Sequence, residues 1–424
     1  MKKNLVMCTL LSVLACLSSC KSDGTEEEVG YMLPKTRSIE LTDSQKELVD
    51  KNNDFAFNLV RKVNEERNSS TEKGKSMFVS PMSVTYMLGM LNSGANDECQ
   101  KKIDEALGMD GATAQQINEF CHSLMTQAPE ADKQVTLESA NALFANKGLQ
   151  VDQQYANTLK NYYDAEVNTL DFGNPGALAT INGWAEKKTH GMIPNVLDEI
   201  SASATMYLMN TVYFEALWTK QFDKANTTDD KFISEDGTQH DVQMMHNKVL
   251  VDVDANDVFT SVCLPYGSGV NWNMYILLPE EGKTIDDVLD CMNANYWKLR
   301  YNSYKPMVLE VSIPKFSVAD KMDLQKPLKG MGLDCLFSKG ALSRMFGNAE
   351  NVCLTDMFQK SRIDVSEEGA KMAAVTVATG DLAAPPSGDH QIKNGKFNAN
   401  RPFVYVVTEE SSNAVFFVGT YTGK

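Results

Sequence analysis

Met209-Asn210-Thr211-Val212-Tyr213-Phe214-Glu215-Ala216-Leu217-Trp218 is the stretch from which this chain's architecture can be worked out. From residue 204 to 214 the sequence is nearly continuous in apolar character, as a strand buried on both faces of a sheet must be. Asn210 interrupts that run and would destabilise the sheet unless hydrogen-bonded, so partners are expected for it. The chain is long enough to surround such a strand. Its 424 residues are 43% hydrophobic and 23% charged, an ordinary globular composition with room for one large domain or two smaller ones. A net charge of -16 and a pI near 4.9 argue against nucleic-acid and heparin-type partners, which need clustered Lys and Arg.

Downstream, Cys263-Leu264-Pro265 and Asn273-Met274-Tyr275-Ile276-Leu277-Leu278-Pro279 flank Tyr266-Gly267-Ser268-Gly269 and read as a hairpin. Leu309, Val311 and Ile313 alternate with Val308, Glu310 and Ser312, giving a further strand. Phe403 to Val407 and Ala414 to Gly419 make two core strands around a polar turn. Upstream, Thr42 with Gln45 forms a capping-box pattern, and Leu48, Phe55, Leu59 and Val63 follow on one helical face. Ser80 is a helix cap and Pro81 suits the first helical position; Val84, Met87, Leu88 and Leu91 then repeat at helical spacing until Gly94.

The N-terminus is a targeting segment. Lys2 and Lys3 precede an apolar run, Leu5 to Leu17, that is too short to span a membrane stably. Leu17-Ser18-Ser19-Cys20 resembles a bacterial lipobox, which implies a signal peptide over 1–19 and a lipid-modified Cys20 anchoring the chain to a membrane. Lys21 fits delivery to an outer membrane, on its periplasmic or outward face. Residues 20–41, with Glu26-Glu27-Glu28, form an acidic tether, and 42–424 a single folded domain. Cys99, Cys121, Cys263, Cys291, Cys335 and Cys353 show no metal or C-x-x-C spacing, and nothing fixes a disulfide pairing among them.

One stretch reads two ways. In Glu367 to Pro386 the small and β-branched residues could make a strand, whereas the glycines, Pro385-Pro386 and Ser387-Gly388-Asp389 read as an exposed loop. Parity puts Ala370, Met372, Ala374, Thr376, Ala378, Gly380 and Leu382 on one uncharged face, with Lys371 and Asp381 on the other. Such a segment could enter a packed sheet without burying a charge.

Phe78-Val79-Ser80-Pro81-Met82-Ser83, Gly89-Met90-Leu91-Asn92-Ser93-Gly94-Ala95 and Ile103-Asp104-Glu105-Ala106-Leu107-Gly108 together resemble the early signature of the serpins. In the expected order follow Ala140-Asn141-Ala142-Leu143-Phe144, the segment Ile181-Asn182-Gly183-Trp184 to Ile193, which resembles the family's "INxWVExxTxGKI" helix, and Met209 to Trp218, which resembles its "NAxYFKGxW" strand. The resemblance covers about residues 45 to 424 and implies an α+β serpin fold of three β-sheets, about nine helices and an exposed reactive-centre loop that can insert into the central sheet.

It also implies a function. A target protease would attack the loop as substrate and be trapped as an acyl-enzyme when the cut loop enters the sheet. The hinge falls on Glu367, Glu368, Gly369, Ala370, Lys371, Met372, Ala373 and Ala374, and the family's loop length sets the reactive bond between Ala383 and Ala384, with Leu382-Ala383 as runner-up. Such a bait points to elastase-like or subtilisin-like serine proteases, or papain-like cysteine proteases. Ser80, Ser83, Asn210 and Gln359 fall at the family's hydrogen-bonded shutter, and Trp218 and Lys315 where the loop first enters, Lys315 pairing with Glu367. Gln359 stands where many serpins have His; Lys371 and Met372 replace small or acidic hinge residues. No cofactor or metal is implied, and a monomer is expected. The alternative is a non-inhibitory serpin-fold protein, cleaved as a substrate or acting as a binding module. An enzyme is disfavoured: the five His include no H-E-x-x-H pair, and no G-x-S-x-G elbow occurs.

Overall fold

The computed structural model of this chain describes residues 36–347, 352–354, 357–370 and 395–424. The signal segment 1–19, Cys20, most of the tether, and Lys371, Met372, Ala373, Ala374, Leu382, Ala383 and Ala384 lie outside the described residues.

Nine α-helices are described. They are α1 (Asp43–Asn68), α2 (Pro81–Gly94), α3 (Asp97–Ala106), α4 (Ala114–Gln127), α5 (Gln153–Tyr163), α6 (Gly176–Lys188), α7 (Ile285–Cys291), α8 (Ala294–Leu299) and α9 (Gln325–Gly330). The six longest all precede residue 190. The Thr42 capping box is formed: its hydroxyl accepts the Gln45 N–H at 3.3 Å while the Gln45 side-chain oxygen accepts the Thr42 N–H at 3.0 Å. Ser80 caps α2 and Pro81 occupies its first turn. Nearly every residue of α2 is buried, so it is a core helix with no solvent stripe.

The strands are β1 (Met77–Val79), β2 (Val135–Asn146), β3 (Glu166–Leu170), β4 (Met206–Leu217), β5 (Thr228–Ile233), β6 (Gln239–Ala255), β7 (Phe259–Tyr266) and β8 (Trp272–Pro279). Then come β9 (Lys305–Pro314), β10 (Phe316–Asp323), β11 (Phe358–Ser366), β12 (Gly369–Ala370), β13 (Lys396–Asn398), β14 (Phe403–Glu409) and β15 (Ala414–Tyr421). One sheet runs β10-β11-β12-β4-β2-β3. The other has nine strands, β1-β15-β14-β8-β7-β6-β9-β13 with β5 on β6. Among the described residues the hydrogen bonds join the strands of the serpin-type fold into two sheets and not three, for a local reason. Within the nine-stranded path β6 meets β7 only over Asp252–Ala255, so two smaller sheets are fused end to end by a four-residue overlap.

The strand that opened the sequence reading is β4, covered on both faces. Its even-numbered residues face the nine-stranded sheet: Phe214 lies 5.6, 5.4 and 5.5 Å from the rings of Tyr266, Trp272 and Phe417. Its odd-numbered residues Tyr207 and Met209 pack under α6 with Phe144, Ile181 and Ile193. Such double coverage removes the alternation a half-exposed strand would show.

Cys99, in the first turn of α3, is disulfide-bonded to Cys335, with Cα atoms 5.5 Å apart and 236 positions between them in sequence. Cys121 and Cys263 are buried free thiols, and Cys291 and Cys353 are partly buried ones.

Candidate functional site

At Ser366, β11 ends; the chain turns through Glu367-Glu368 and returns as β12. This two-residue strand is antiparallel to both neighbours, pairing Ala370 with Val365 and Ala216, and Gly369 with Ser366 and Leu217. Among the described residues, β4 and β11 are joined in the sheet only through β12. Gly369 is required here on two counts. Its φ is +138°, and a Cβ at this position would lie 2.2 Å from the Ala216 carbonyl oxygen and 2.6 Å from the Leu217 Cα. Ala370 points inward and is buried.

Around this turn the chain gathers a set of anchors. The Trp218 indole N–H donates to the Ser366 carbonyl at 2.9 Å, and its backbone N–H to that of Glu368 at 2.9 Å. Its ring stacks on Tyr266, with centroids 4.3 Å apart and planes within 8°. Glu367 is only 4% exposed. It pairs with Lys315 at 2.9 Å, accepts the Thr227 hydroxyl at 2.9 Å, and gives its carbonyl to the Phe222 N–H. Burial pushes the Glu367 carboxyl upward, but hydrogen bonds from Lys315 and Thr227 outweigh it and leave it below the ordinary carboxylate range. Glu368 pairs with Lys224.

Farther down the gap between β4 and β11 lies a narrow cleft of about 30 Å³, lined among others by Ser80, Ser83, Asn210, Phe214, Gln359, Ile363 and Phe417. Gln359 holds Ser80 from both sides: its side-chain oxygen accepts the Ser80 N–H at 2.8 Å and its NH₂ donates to the Ser80 carbonyl at 3.0 Å. The Ser80 hydroxyl donates to the Phe416 carbonyl at 3.1 Å and receives the Ser83 hydroxyl at 2.9 Å. Three of the four expected shutter residues are thereby brought together. Asn210 lines the same cleft but turns its NH₂ to β2, donating to Ser139 at 3.2 Å and Asn141 at 2.8 Å. Asn210 is thus hydrogen-bonded as expected, although among the described residues its buried side-chain oxygen has no partner. The cause is register: Asn141 lies directly opposite Asn210 across the β2–β4 ladder.

Thr227 and Tyr266 belong to this site and carried no signal of their own in sequence. Thr227 follows a short 3-10 turn, and Tyr266 ends the hairpin strand β7, so only tertiary pairing aims them at the Glu367-Glu368 turn. His246 hydrogen-bonds the hydroxyls of Thr228 at 3.0 Å and Ser312 at 2.8 Å, a structural use of the ring. Among the described residues no group of His, Cys, Asp and Glu is arranged to hold a metal ion.

A family model described as Serpin (serine protease inhibitor) matches residues 50–423. Human Serpin B3 is 28% identical over 403 residues, covering 88% of this chain and 99% of that protein. Mouse antithrombin-III is 30% identical over 387 residues, covering 88% of this chain and 81% of its own. The crystal structure of human thyroxine-binding globulin aligns with a TM-score of 0.78 at 26% identity, covering 89% of this chain and 98% of the other.

Proposed function

The chain belongs to the serpin family, whose members are generally protease inhibitors and not enzymes, and from that premise we propose that it is a single-use inhibitor that traps its target covalently. The target's nucleophile attacks the carbonyl of Ala383, the bond to Ala384 breaks, and the Ala384 amine leaves with a proton. The segment from Gly369 to Ala383, fifteen residues at about 3.3 Å each, spans roughly 50 Å once extended. It enters between β4 and β11 and carries the acylated protease with it before water can complete hydrolysis. The observation that carries this reading is β12: the hinge already forms two residues of strand between β4 and β11, in the antiparallel sense a longer insertion would need.

The small, aliphatic Leu382-Ala383 bait favours elastase-like or subtilisin-like serine proteases, or papain-like cysteine proteases. Export with a lipid on Cys20, at an outer membrane, remains part of the proposal, and the Cys99–Cys335 disulfide supports an oxidising compartment.

Mixing the chain with an elastase-type protease should yield a complex that survives SDS and a released fragment beginning at Ala384; a fragment beginning at Ala383 would move the bond to the runner-up. Clean cleavage without a complex, across serine and cysteine proteases of all three types, would remove the inhibitor reading. A second reading, a binding module, is favoured by the likeness to thyroxine-binding globulin, which was crystallised with thyroxine. It predicts that clean cleavage.

A further inference from the structure

Residues 36–41, the end of the segment read as a tether, are bonded along their length to the folded domain. Thr36 forms a bridge with Asp132, and the Arg37 N–H donates to the Ala131 carbonyl at 2.8 Å. The Arg37 carbonyl accepts the Asn271 side-chain NH₂ at 3.0 Å, and the Ile39 N–H donates to the Ser411 hydroxyl at 2.8 Å. Gln127, the last residue of α4, satisfies both backbone groups of Glu40: its oxygen accepts the N–H at 2.8 Å and its NH₂ donates to the carbonyl at 3.1 Å. The Ile39 side chain belongs to the main core and is 5% exposed. A segment that merely trailed into solvent would leave these groups to water.

What this segment grips is the back of the loop-entry site. Two of the residues it holds, Asp132 and Asn271, bound the β7–β8 turn, residues 267–271. Asp132 is wholly buried and accepts the N–H and the hydroxyl of Ser268 at 2.9 and 2.5 Å. The turn is pinned in the same way to the end of β4: the Gly267 N–H donates to the Leu217 carbonyl at 2.8 Å, and the Thr219 hydroxyl to the Gly267 carbonyl at 3.1 Å. Gly267 has a φ of +56°, and a Cβ there would lie 2.7 Å from the Asp132 carboxylate, so the turn closes on Asp132 only around glycine. Tyr266, which leads into the turn, carries the stacked ring of Trp218, whose two N–H groups hold the Ser366 and Glu368 carbonyls. An unbroken path of hydrogen bonds and one ring stack therefore runs from residues 36–41 to the ends of β4 and β11.

We propose that residues 36–41 are a strap that sets how firmly the loop-entry site is held, and with it how readily β12 is extended; this rests on the insertion reading above. Extension starts from β12, and residues joining a fixed end lose less freedom than residues joining a mobile one. With the strap off, the β7–β8 turn loosens, Trp218 lets go of the Ser366 and Glu368 carbonyls, and water gains time to complete hydrolysis. The strap is a positioning element: it acts through the turn and touches neither β12 nor β11 among the described residues.

The test uses the full chain with Ile39→Asp, which expels the strap by placing a carboxylate where Ile39 is buried, and with Gln127→Ala, which frees Glu40 without touching the turn. Amide exchange should rise about tenfold at Gly267 and Trp218 in Ile39→Asp and about threefold in Gln127→Ala, while Tyr405 in the middle of β14 stays within about twofold of the parent. Mixed with an elastase-type protease, Ile39→Asp should also give about threefold less SDS-stable complex relative to cleaved chain. Exchange at Gly267 and Trp218 within about twofold of the parent, equal acceleration at Tyr405, or an unchanged complex ratio would each overturn the strap. A parent that forms no complex with any protease refutes the insertion reading instead, and exchange at Gly267 and Trp218 still decides whether the strap holds the site. Gln127→Ala removes no core side chain, so the test stands even if Ile39→Asp folds poorly.

Discussion

Replacing Gly369 by Ala should expel β12 from the sheet. The new Cβ would sit 2.2 Å from the Ala216 carbonyl oxygen and 2.7 Å from the Trp218 nitrogen, backbone atoms at and just beyond the end of β4 with no rotamer to yield. A φ of +138° adds about 1–3 kcal/mol for a residue with a side chain. The chain can escape by withdrawing Gly369 and Ala370, which forfeits their ladder bonds at about 1 kcal/mol each and the burial of Ala370. Withdrawal therefore limits the loss to about 2–4 kcal/mol, or about 3–5 °C in Tm for a chain of this length. Hydrogen exchange reads the event directly, because the Trp218 N–H donates to Glu368 and the Phe222 N–H to Glu367. Both amides should exchange about tenfold to a hundredfold faster in the variant. Gly395→Ala is the control: its φ is +63° but nothing lies within 4 Å of the added Cβ, so it carries strain without a clash. Unchanged exchange at Trp218 and a Tm within about 1 °C of the parent would refute the reasoning.

Gln359→Ala should lower stability by about 2–5 kcal/mol in urea unfolding, because it leaves both the N–H and the carbonyl of buried Ser80 without partners; a loss under about 1 kcal/mol contradicts this. Glu367 sets an acid limit. Its carboxyl is lowered in the folded chain, so its stabilising contribution is complete above the ordinary carboxylate value of about 4.3 and is lost as pH falls through the lower folded value. Tm measured from about pH 5 to about pH 3 should therefore fall more steeply for the parent than for Glu367→Gln, and parallel curves would rule the carboxyl out. Replacing Cys99 and Cys335 by Ser opens a 236-position closure and should destabilise the fold by about 2–5 kcal/mol, with reductant producing the same shift in the parent. No response to reductant would show that the bridge does not hold the native state.

Much of this was visible in the chain itself. The apolar run into Trp218 marked a doubly covered strand, and Ser80-Pro81 marked a helix start, because burial and capping write local patterns. Lys315 and Glu367 came from motif position, and the structure sets them 2.9 Å apart. What sequence could not show depends on pairing at long range. Cys99 and Cys335 have no spacing rule to link them, and Asn210 turns away from Ser80 only because Asn141 faces it across a ladder whose register is tertiary. The two-sheet count likewise hinges on four residue pairs at the end of β6.

The Gln359 clamp on Ser80 has a consequence for how this molecule meets acid. An imidazole at that position would change its number of N–H groups near neutrality, whereas an amide keeps one acceptor and one NH₂ at every pH. The middle of the gap is therefore blind to protons, while its top, held by a carboxylate, is not. Acid should therefore weaken the Glu367 anchors at the top of the gap while leaving the Gln359 clamp in its middle unchanged.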